Sequence, residues 1–173
     1  MQRGMVTLEI VFAITIIAVL IKSAVPNADR IIDTVALDYE MKQLYSELRF
    51  VKAEGRNRNE LSTKGIGDTE FAPDNFEKIT LIIDINNNSY KVCRVDKNGK
   101  IIATIRETHY FSHGVTVKLE SGTDAIIKIH FGSDGKANIN SDTLTLTSRL
   151  GKKRYIRFNS VGRFRASLTN TNE

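Results

Sequence analysis

The 173-residue sequence contains one cysteine, three histidines and two prolines. The single cysteine, Cys93, excludes an intramolecular disulfide bond, so the folded domain must rely on its apolar core. On a strand, this thiol is predicted to be a small buried hydrophobic group. His109 and His113 are four residues apart, which suits zinc on a helix, but the surrounding pattern indicates strands. Because no third ligand is suitably spaced, the sequence predicts neither a metal site nor a cofactor.

Sequence motifs of catalysis are also missing. The chain has no glycine-rich phosphate loop and no Gly-x-Ser-x-Gly motif for a nucleophilic serine. One cysteine and a histidine elsewhere in the chain are a combination found in many proteins of this size. The sequence therefore predicts a protein that is not an enzyme.

Charge is nearly absent from the first part of the chain. Residues 5–21 contain one charged residue, Glu9. As a helix rising about 1.5 Å per residue, this segment would span roughly 26 Å, close to the hydrocarbon thickness of a bilayer. No convincing signal-peptidase site of small residues follows Ile21, so we expect the apolar segment to remain in the mature protein. The small residue stands before the apolar run, which predicts cleavage between Gly4 and Met5.

Glu9 is the unusual residue of this segment. A carboxylate inside hydrocarbon costs about 2.5–3.5 kcal/mol on insertion scales, which by default indicates a functional residue with a partner. Cleavage after Gly4 would place Glu9 one helical turn from the new ammonium group of Met5. The carboxylate can then neutralise that amine or the amine of a neighbouring subunit. The alternative is a simple membrane anchor in which Glu9 lies near enough to the interface to remain solvated.

The N-terminal residues resemble a known processing signal. Gly4, then Met-Val-Thr-Leu-Glu and an unbroken apolar run, resemble the class III signal of type IV pilins and type II secretion pseudopilins, and Pro26 falls where that family commonly has a proline. The family's usual first mature residue is phenylalanine, and Met5 departs from that pattern. The resemblance implies cleavage after Gly4 by the prepilin peptidase, and N-methylation of Met5. It also implies single-pass insertion in the inner membrane, followed by assembly with other subunits, through the N-terminal helix, into an extracytoplasmic filament.

Beyond Lys22 the predicted helix continues, and Pro26, which lacks an amide hydrogen, is expected to kink or locally melt it. Apolar residues then recur at spacings of 4, 3, 4 and 3, which is typical of one face of an amphipathic helix. These residues are Leu37, Met41, Leu44, Leu48 and Val51, with Tyr45 and Ala53 widening the stripe. The charged Asp38, Glu40, Lys42, Glu47 and Arg49 are expected mostly on other faces. Gly55 suits the position after a helix and is predicted to end it.

The remainder of the chain has the pattern of β structure. After an irregular stretch at 56–77, short runs of alternating apolar residues are separated by turn signals such as Asn98-Gly99 and Asp134-Gly135. This pattern predicts an antiparallel β-sheet with one face against a core, covered by the long helix. The predicted fold class is α+β. Its parts are a leader at 1–4, a membrane and filament-core half of the helix at 5–25, an amphipathic half at 26–55, and an antiparallel β-sheet domain at 56–173.

Four short stretches in the C-terminal half resemble the GspH/FimT-type domain, which ends in a hairpin and a glycine–arginine pair. These stretches are 129–135, 143–146, 154–157 and 162–165. The resemblance implies a minor or tip-located subunit of low abundance in the filament.

Acidic residues are absent from 149–165, where seven of seventeen residues are basic: Arg149, Lys152, Lys153, Arg154, Arg157, Arg163 and Arg165. The two lysines are expected at a hairpin tip. Arg163 and Arg165 would share one strand face roughly 7 Å apart, opposite Phe164, with Arg157 joining them from the neighbouring strand. Clustered guanidinium groups suit phosphate, and such a basic cluster is typical of nucleic-acid binding.

Gly162-Arg163-Phe164-Arg165 also fits the Gly-Arg-x-Arg motif of FimT-like minor pilins. The resemblance implies that this motif binds double-stranded DNA without reading its sequence during DNA uptake. The residues expected to bind DNA are Lys152, Lys153, Arg154, Arg157, Arg163 and Arg165.

Two other functions stay open at this point. The chain can be a type II secretion pseudopilin whose basic face contacts another tip subunit or a secreted protein. It can also be a membrane-anchored adapter that is never cleaved. In a third interpretation of the basic residues alone, they form a solvated face near an anionic membrane.

Overall fold

The computed structural model describes residues 2–63, 78–96, 98–122, 124–132, 134–139 and 141–168, with side chains omitted at 2–8, 23–26 and 57–63. Over these residues a long helix, α1 (Gln2–Thr63), precedes eight strands. The strands are β1 (Lys78–Asp84), β2 (Ser89–Val95), β3 (Ile101–Tyr110), β4 (Thr116–Leu119), β5 (Ile126–His130), β6 (Thr143–Thr147), β7 (Lys153–Phe158) and β8 (Phe164–Ser167). The predicted α+β class, with the helix first, is confirmed.

The second half of α1 covers the β strands with the predicted stripe. Leu37, Leu44, Leu48 and Val51 are completely buried, because their spacing of three and four residues places them on one side of the helix. Met41 and Tyr45 pack against the same core while staying partly exposed. Ala53 is exposed, so its inclusion in the buried stripe was wrong.

The helix does not end at Gly55, as the sequence predicted, but continues to Thr63. Gly55 serves a packing purpose instead, since a Cβ atom there would lie 2.9 Å from the carbonyl oxygen of Phe131. The backbone also stays helical through Pro26, because a proline removes one amide donor while the neighbouring turns keep theirs. Of the predicted irregular stretch at 56–77, residues 64–77 lie outside the described part of the chain.

The described strands form two antiparallel sheets, where the sequence predicted one. The first sheet has the order β3-β2-β1-β5, and the second has the order β4-β6-β7-β8. The division arises because β5 returns to pair with β1, with Leu81 opposite Ile129, while β4 pairs with β6. These partners are far apart in sequence, and alternation along a single strand carries no information about them.

Both sheets and the helix share one core. Leu81, Ile83 and Ile129 of the first sheet are completely buried, as are Leu144 and Ile156 of the second. Cys93 on β2 is also completely buried, which confirms its expected role as a small hydrophobic group. The second sheet thereby holds the basic segment of the sequence at a fixed position beside the helix.

Candidate functional site

The described apolar side chains in the first half of α1 are exposed and are not buried against the β domain. From Ile10 to Ile21 the large apolar side chains are 53–63% exposed, and Glu9 at the head of this stretch is exposed as well. Within it, the hydroxyl group of Thr15 donates to the carbonyl oxygen of Val11 at 2.7 Å, so this polar group is satisfied inside the helix. By length and composition the helix Glu9–Arg56 is able to cross a membrane. The backbone of Gly4 and Met5 is helical, and the side chain of Met5 is not among those that the structure describes.

The basic segment forms the β6–β7 hairpin and the β7–β8 hairpin, as expected. Arg157 on β7 lies directly opposite Arg165 on β8, so the predicted approach of Arg157 from the neighbouring strand is confirmed. Since side chains alternate along a strand, Lys153 and Arg157 lie on the face of β7 away from the buried Ile156. Lys153, Arg157 and Arg165 therefore share the outer face of the second sheet. We call these three residues the sheet-face cluster.

Two of the predicted DNA-binding residues are engaged with the helix instead. Arg154 lies on the inner face of β7, where its Nε atom donates to Oδ1 of Asp38 at 2.7 Å and its side chain is only 15% exposed. Lys152 follows the turn at Gly151, and its ammonium group donates to the hydroxyl group of Thr34. These contacts attach the β6–β7 hairpin to α1. The sequence could not separate the two faces, because it did not show which strand face the helix covers.

Arg163 lies in the β7–β8 turn, just before β8 begins, so the prediction that it shares a strand with Arg165 was wrong. The turn is closed by the amide of Arg163, which donates to Oδ1 of Asn159 at 2.7 Å. Gly162 has a φ of 74°, and a Cβ atom there would lie 1.9 Å from the carbonyl oxygen of Gly135. The glycine of the Gly-Arg-x-Arg motif is thus required by the packing of this turn against the turn at Gly135.

Two basic residues of α1 approach this turn. The ammonium group of Lys52 donates to the carbonyl oxygen of Gly162 at 2.8 Å and lies 5.8 Å from the ring centres of Phe131 and Phe164. Burial lowers the pKa of Lys52, and the positive charges of Arg56 and Arg163 lower it further. We call Lys52, Arg56 and Arg163 the helix-side cluster. The sequence did not point to Lys52 and Arg56. The signal that could have identified them was two basic residues four positions apart, next to the predicted helix end.

A row of buried carboxylates joins α1 to both sheets. Asp33, Glu40 and Glu47 are spaced by seven residues and are 4%, 0% and 5% exposed. Asp33 accepts a hydrogen bond from the Ser148 hydroxyl at 2.6 Å. Glu47 pairs with Arg106 at 3.2 Å. The expectation that Glu40 and Glu47 point away from the core was wrong, because each meets a polar partner on a strand or loop.

Glu40 is the most fully engaged of the three. One carboxylate oxygen lies 2.8 Å from Nε2 of His109, and the other accepts from the amide of Ser112 at 3.0 Å and from its hydroxyl at 2.6 Å. Burial raises the pKa of the neighbouring Tyr90 phenol, and the negative charges of Glu40 and Glu47 raise it further. His109 thus lies on β3 beside a carboxylate of the helix. Among the described residues no three His, Cys, Asp or Glu side chains are grouped to hold a metal ion.

Comparisons with known proteins bear on the fold. No protein-family model matches the sequence, and no curated protein matches it. The structure is similar to that of the minor pseudopilin EpsH from the type 2 secretion system of Vibrio cholerae, with a TM-score of 0.52 and 11% sequence identity. The match covers 75% of this chain and 94% of EpsH. The chain therefore has the α+β fold of a GspH-type minor pseudopilin.

Proposed function

We propose that the protein is a minor subunit of a type IV filament, anchored by the first half of α1 and assembled through it. The observation that carries this proposal is the exposed apolar surface from Ile10 to Ile21, which stands clear of a folded domain. Such a surface is stable only in hydrocarbon or against other apolar helices, and its length suits a bilayer. The similarity of the fold to that of a minor pseudopilin supports the same function.

Assembly in this proposal begins with cleavage after Gly4 in the inner membrane. The new ammonium group of Met5, once methylated, lies one turn from Glu9, whose carboxylate neutralises the amine of a neighbouring subunit. Mass spectrometry of protein extracted from membranes measures this directly. The expected mass lacks residues 1–4 and includes one methyl group. An intact leader would contradict the proposal and favour an uncleaved membrane-anchored adapter.

We further propose that the basic surface binds double-stranded DNA during uptake, gripping phosphates without reading the sequence. Support comes from the position of Arg157 opposite Arg165, which places two guanidinium groups side by side on one sheet face, because guanidinium groups bind phosphate through paired hydrogen bonds. Lys153 extends this sheet-face cluster along β7, and Arg163 adds a charge at the neighbouring turn. The roles of Lys152 and Arg154 in this proposal are structural, since both attach their hairpin to α1.

The test measures binding of a short labelled DNA duplex to the full-length chain in nanodiscs of uncharged lipid, across a salt series. Each lost phosphate contact makes the slope of the logarithm of the binding constant against the logarithm of the salt concentration shallower by about 0.9. The Arg163→Ala/Arg165→Ala variant should therefore bind more weakly, with a slope shallower by about two. Lys91→Ala/Lys128→Ala, which removes the same charge from the first sheet, serves as the control and should keep the original slope.

A second candidate function is that of a type II secretion pseudopilin. The likeness to a minor pseudopilin of a secretion system favours it. In that case the sheet-face cluster contacts an acidic surface of another tip subunit or of a secreted protein. Absence of DNA binding by the unmodified chain at low salt would make this second function the better supported one.

A further inference from the structure

We propose that the DNA-binding surface extends from the strands onto α1, where Lys52 and Arg56 contact the same phosphate backbone as Arg163. This inference rests on the proposed DNA binding. It adds two binding residues that lie more than a hundred positions from the Gly-Arg-x-Arg motif in the sequence.

The packing of two turns beside α1 brings the three residues together. Gly135 lies next to both helix residues, since a Cβ atom there would lie 3.7 Å from Cε of Lys52 and 3.8 Å from Cδ of Arg56. Gly162 packs directly on Gly135, and its carbonyl oxygen accepts from Lys52. Arg163 follows Gly162 in the same turn. The backbone contact between Gly162 and Gly135 therefore fixes the two turns together, and the side chains of Lys52 and Arg56 lie against them.

The positive charges of the helix-side cluster favour a bound anion. Lys52, Arg56 and Arg163 take part in none of the ion pairs found among the described residues. Arg56 and Arg163 are exposed, while Lys52 is half-buried against two aromatic rings. Because no described carboxylate pairs with these three positive charges, they repel one another, and a bound phosphate would reverse that energy. Guanidinium groups are well suited to this task because they bind phosphate through two parallel hydrogen bonds.

The helix-side cluster and the sheet-face cluster are connected along β8. Among the described strands β8 lies at the edge of the second sheet, so none of these strands separates its outer face from the helix side. Arg163 lies at the start of this edge, and Arg165 lies two residues further on, roughly 7 Å along an extended chain. Arg163 and Arg165 thus connect the helix-side cluster to the sheet-face cluster. A nucleic-acid backbone that crosses β8 would meet Arg56, Arg163 and Arg165 in succession.

The main test uses Arg56→Gln in the full-length chain, in nanodiscs of uncharged lipid, with a short DNA duplex of mixed sequence as the probe. The Arg56 side chain is exposed, so this change should leave the thermal unfolding midpoint unaltered. We expect binding about tenfold weaker at roughly 0.1 M salt, with a log–log slope shallower by about one. The double variant Lys52→Gln/Arg56→Gln should make the slope of the same salt dependence shallower by about two.

The matched control is Lys91→Gln/Lys128→Gln, which removes the same charge as the double variant from the first sheet. The outcomes separate the inference from the function on which it rests. If the unmodified chain binds and Arg163→Ala/Arg165→Ala weakens it, but Arg56→Gln and the double variant behave as the unmodified chain does, the helix residues are not part of the surface. In that case the proposed DNA function survives. If the unmodified chain does not bind at low salt, the proposed DNA function falls, and the inference falls with it.

Discussion

The buried carboxylates of α1 show how individual residues determine the docking of the helix. An ionised carboxylate away from water is costly unless hydrogen bonds satisfy it, so Glu40 can be buried only where His109 and Ser112 meet it. Asp33 and Glu47 also meet polar partners two helical turns to either side, while Oε2 of Glu47 is buried with no hydrogen-bond partner among the described residues. Three such contacts at intervals of seven residues specify the rotation and the axial position of the helix over the sheets.

Replacing Glu40 with alanine should therefore destabilise the folded domain. The amide of Ser112 loses its acceptor, and an unsatisfied buried donor costs about 1–3 kcal/mol. Chemical denaturation of the full chain in detergent would measure this loss in the free energy of unfolding. Glu107→Ala changes an exposed carboxylate on β3 and should shift the free energy by less than about 0.5 kcal/mol. Equal effects of the two changes would argue against a role for Glu40 in docking.

We expect His130 on β5 to make stability depend on pH. Burial lowers the pKa of its imidazole, and the positive charge of Lys78 lowers it further. A histidine whose pKa is lower in the folded state binds a proton more readily after unfolding, so its contribution is complete above the unfolded value of about 6.5 and is lost as pH falls. We expect the unmodified chain to lose stability between about pH 7 and pH 5 more steeply than His130→Asn. Parallel unfolding curves of the two proteins over this range would contradict the assignment.

At the scale of elements, two glycines show that turns and the helix meet through their backbones. Gly55 lets the carbonyl of Phe131 approach α1, and Gly162 lets the β7–β8 turn contact the turn at Gly135. Both positions exclude a side chain for steric reasons. The helix, the β5–β6 connection and the β7–β8 hairpin are thereby joined at one place, next to the helix-side cluster.

Gly162→Ala and Gly151→Ala form a matched pair of substitutions. Both glycines have positive φ, 74° and 83°, so alanine carries a conformational cost of about 1–2 kcal/mol at either position. A Cβ atom at Gly151 meets no atom within 4 Å, whereas one at Gly162 overlaps the backbone of Gly135. Thermal unfolding should therefore show a clearly larger loss for Gly162→Ala. Equal losses would mean that backbone conformation alone, and not contact between the turns, requires this glycine.

The molecule as a whole is an amphiphile with two separate parts. The core begins at Asp33 and includes the strands, while the stretch from Ile10 to Ile21 adds nothing to it. The apolar stretch is therefore separate from the folded β domain, and under the proposed function this separation lets a subunit leave a bilayer and enter a filament without refolding.

Glu9→Ala tests this separation at the level of assembly. Removing the carboxylate makes the apolar segment easier to insert, so the variant should stay in the membrane, fully folded, but be missing from sheared filaments. Immunoblots of membrane and filament fractions would measure both results. Thr15→Val, which removes a polar group from the same segment without changing charge, should assemble normally. Normal incorporation of Glu9→Ala would show that the carboxylate has no part in assembly.

The sequence by itself determined the features that depend on neighbours along the chain. The apolar run at 5–21, the buried stripe from Leu37 to Val51 and the turns at Gly99 and Gly135 follow from local composition and periodicity, and so does the pairing of Arg157 with Arg165. Only the tertiary structure decided the division into two sheets, the burial of Glu40 and Glu47, and the continuation of α1 past Gly55. It also separated Arg154 from the exposed arginines and placed Lys52 and Arg56 beside Arg163. These outcomes depend on which distant segments pack together, and that packing rests on satisfied hydrogen bonds and steric fit between residues that the linear pattern cannot match.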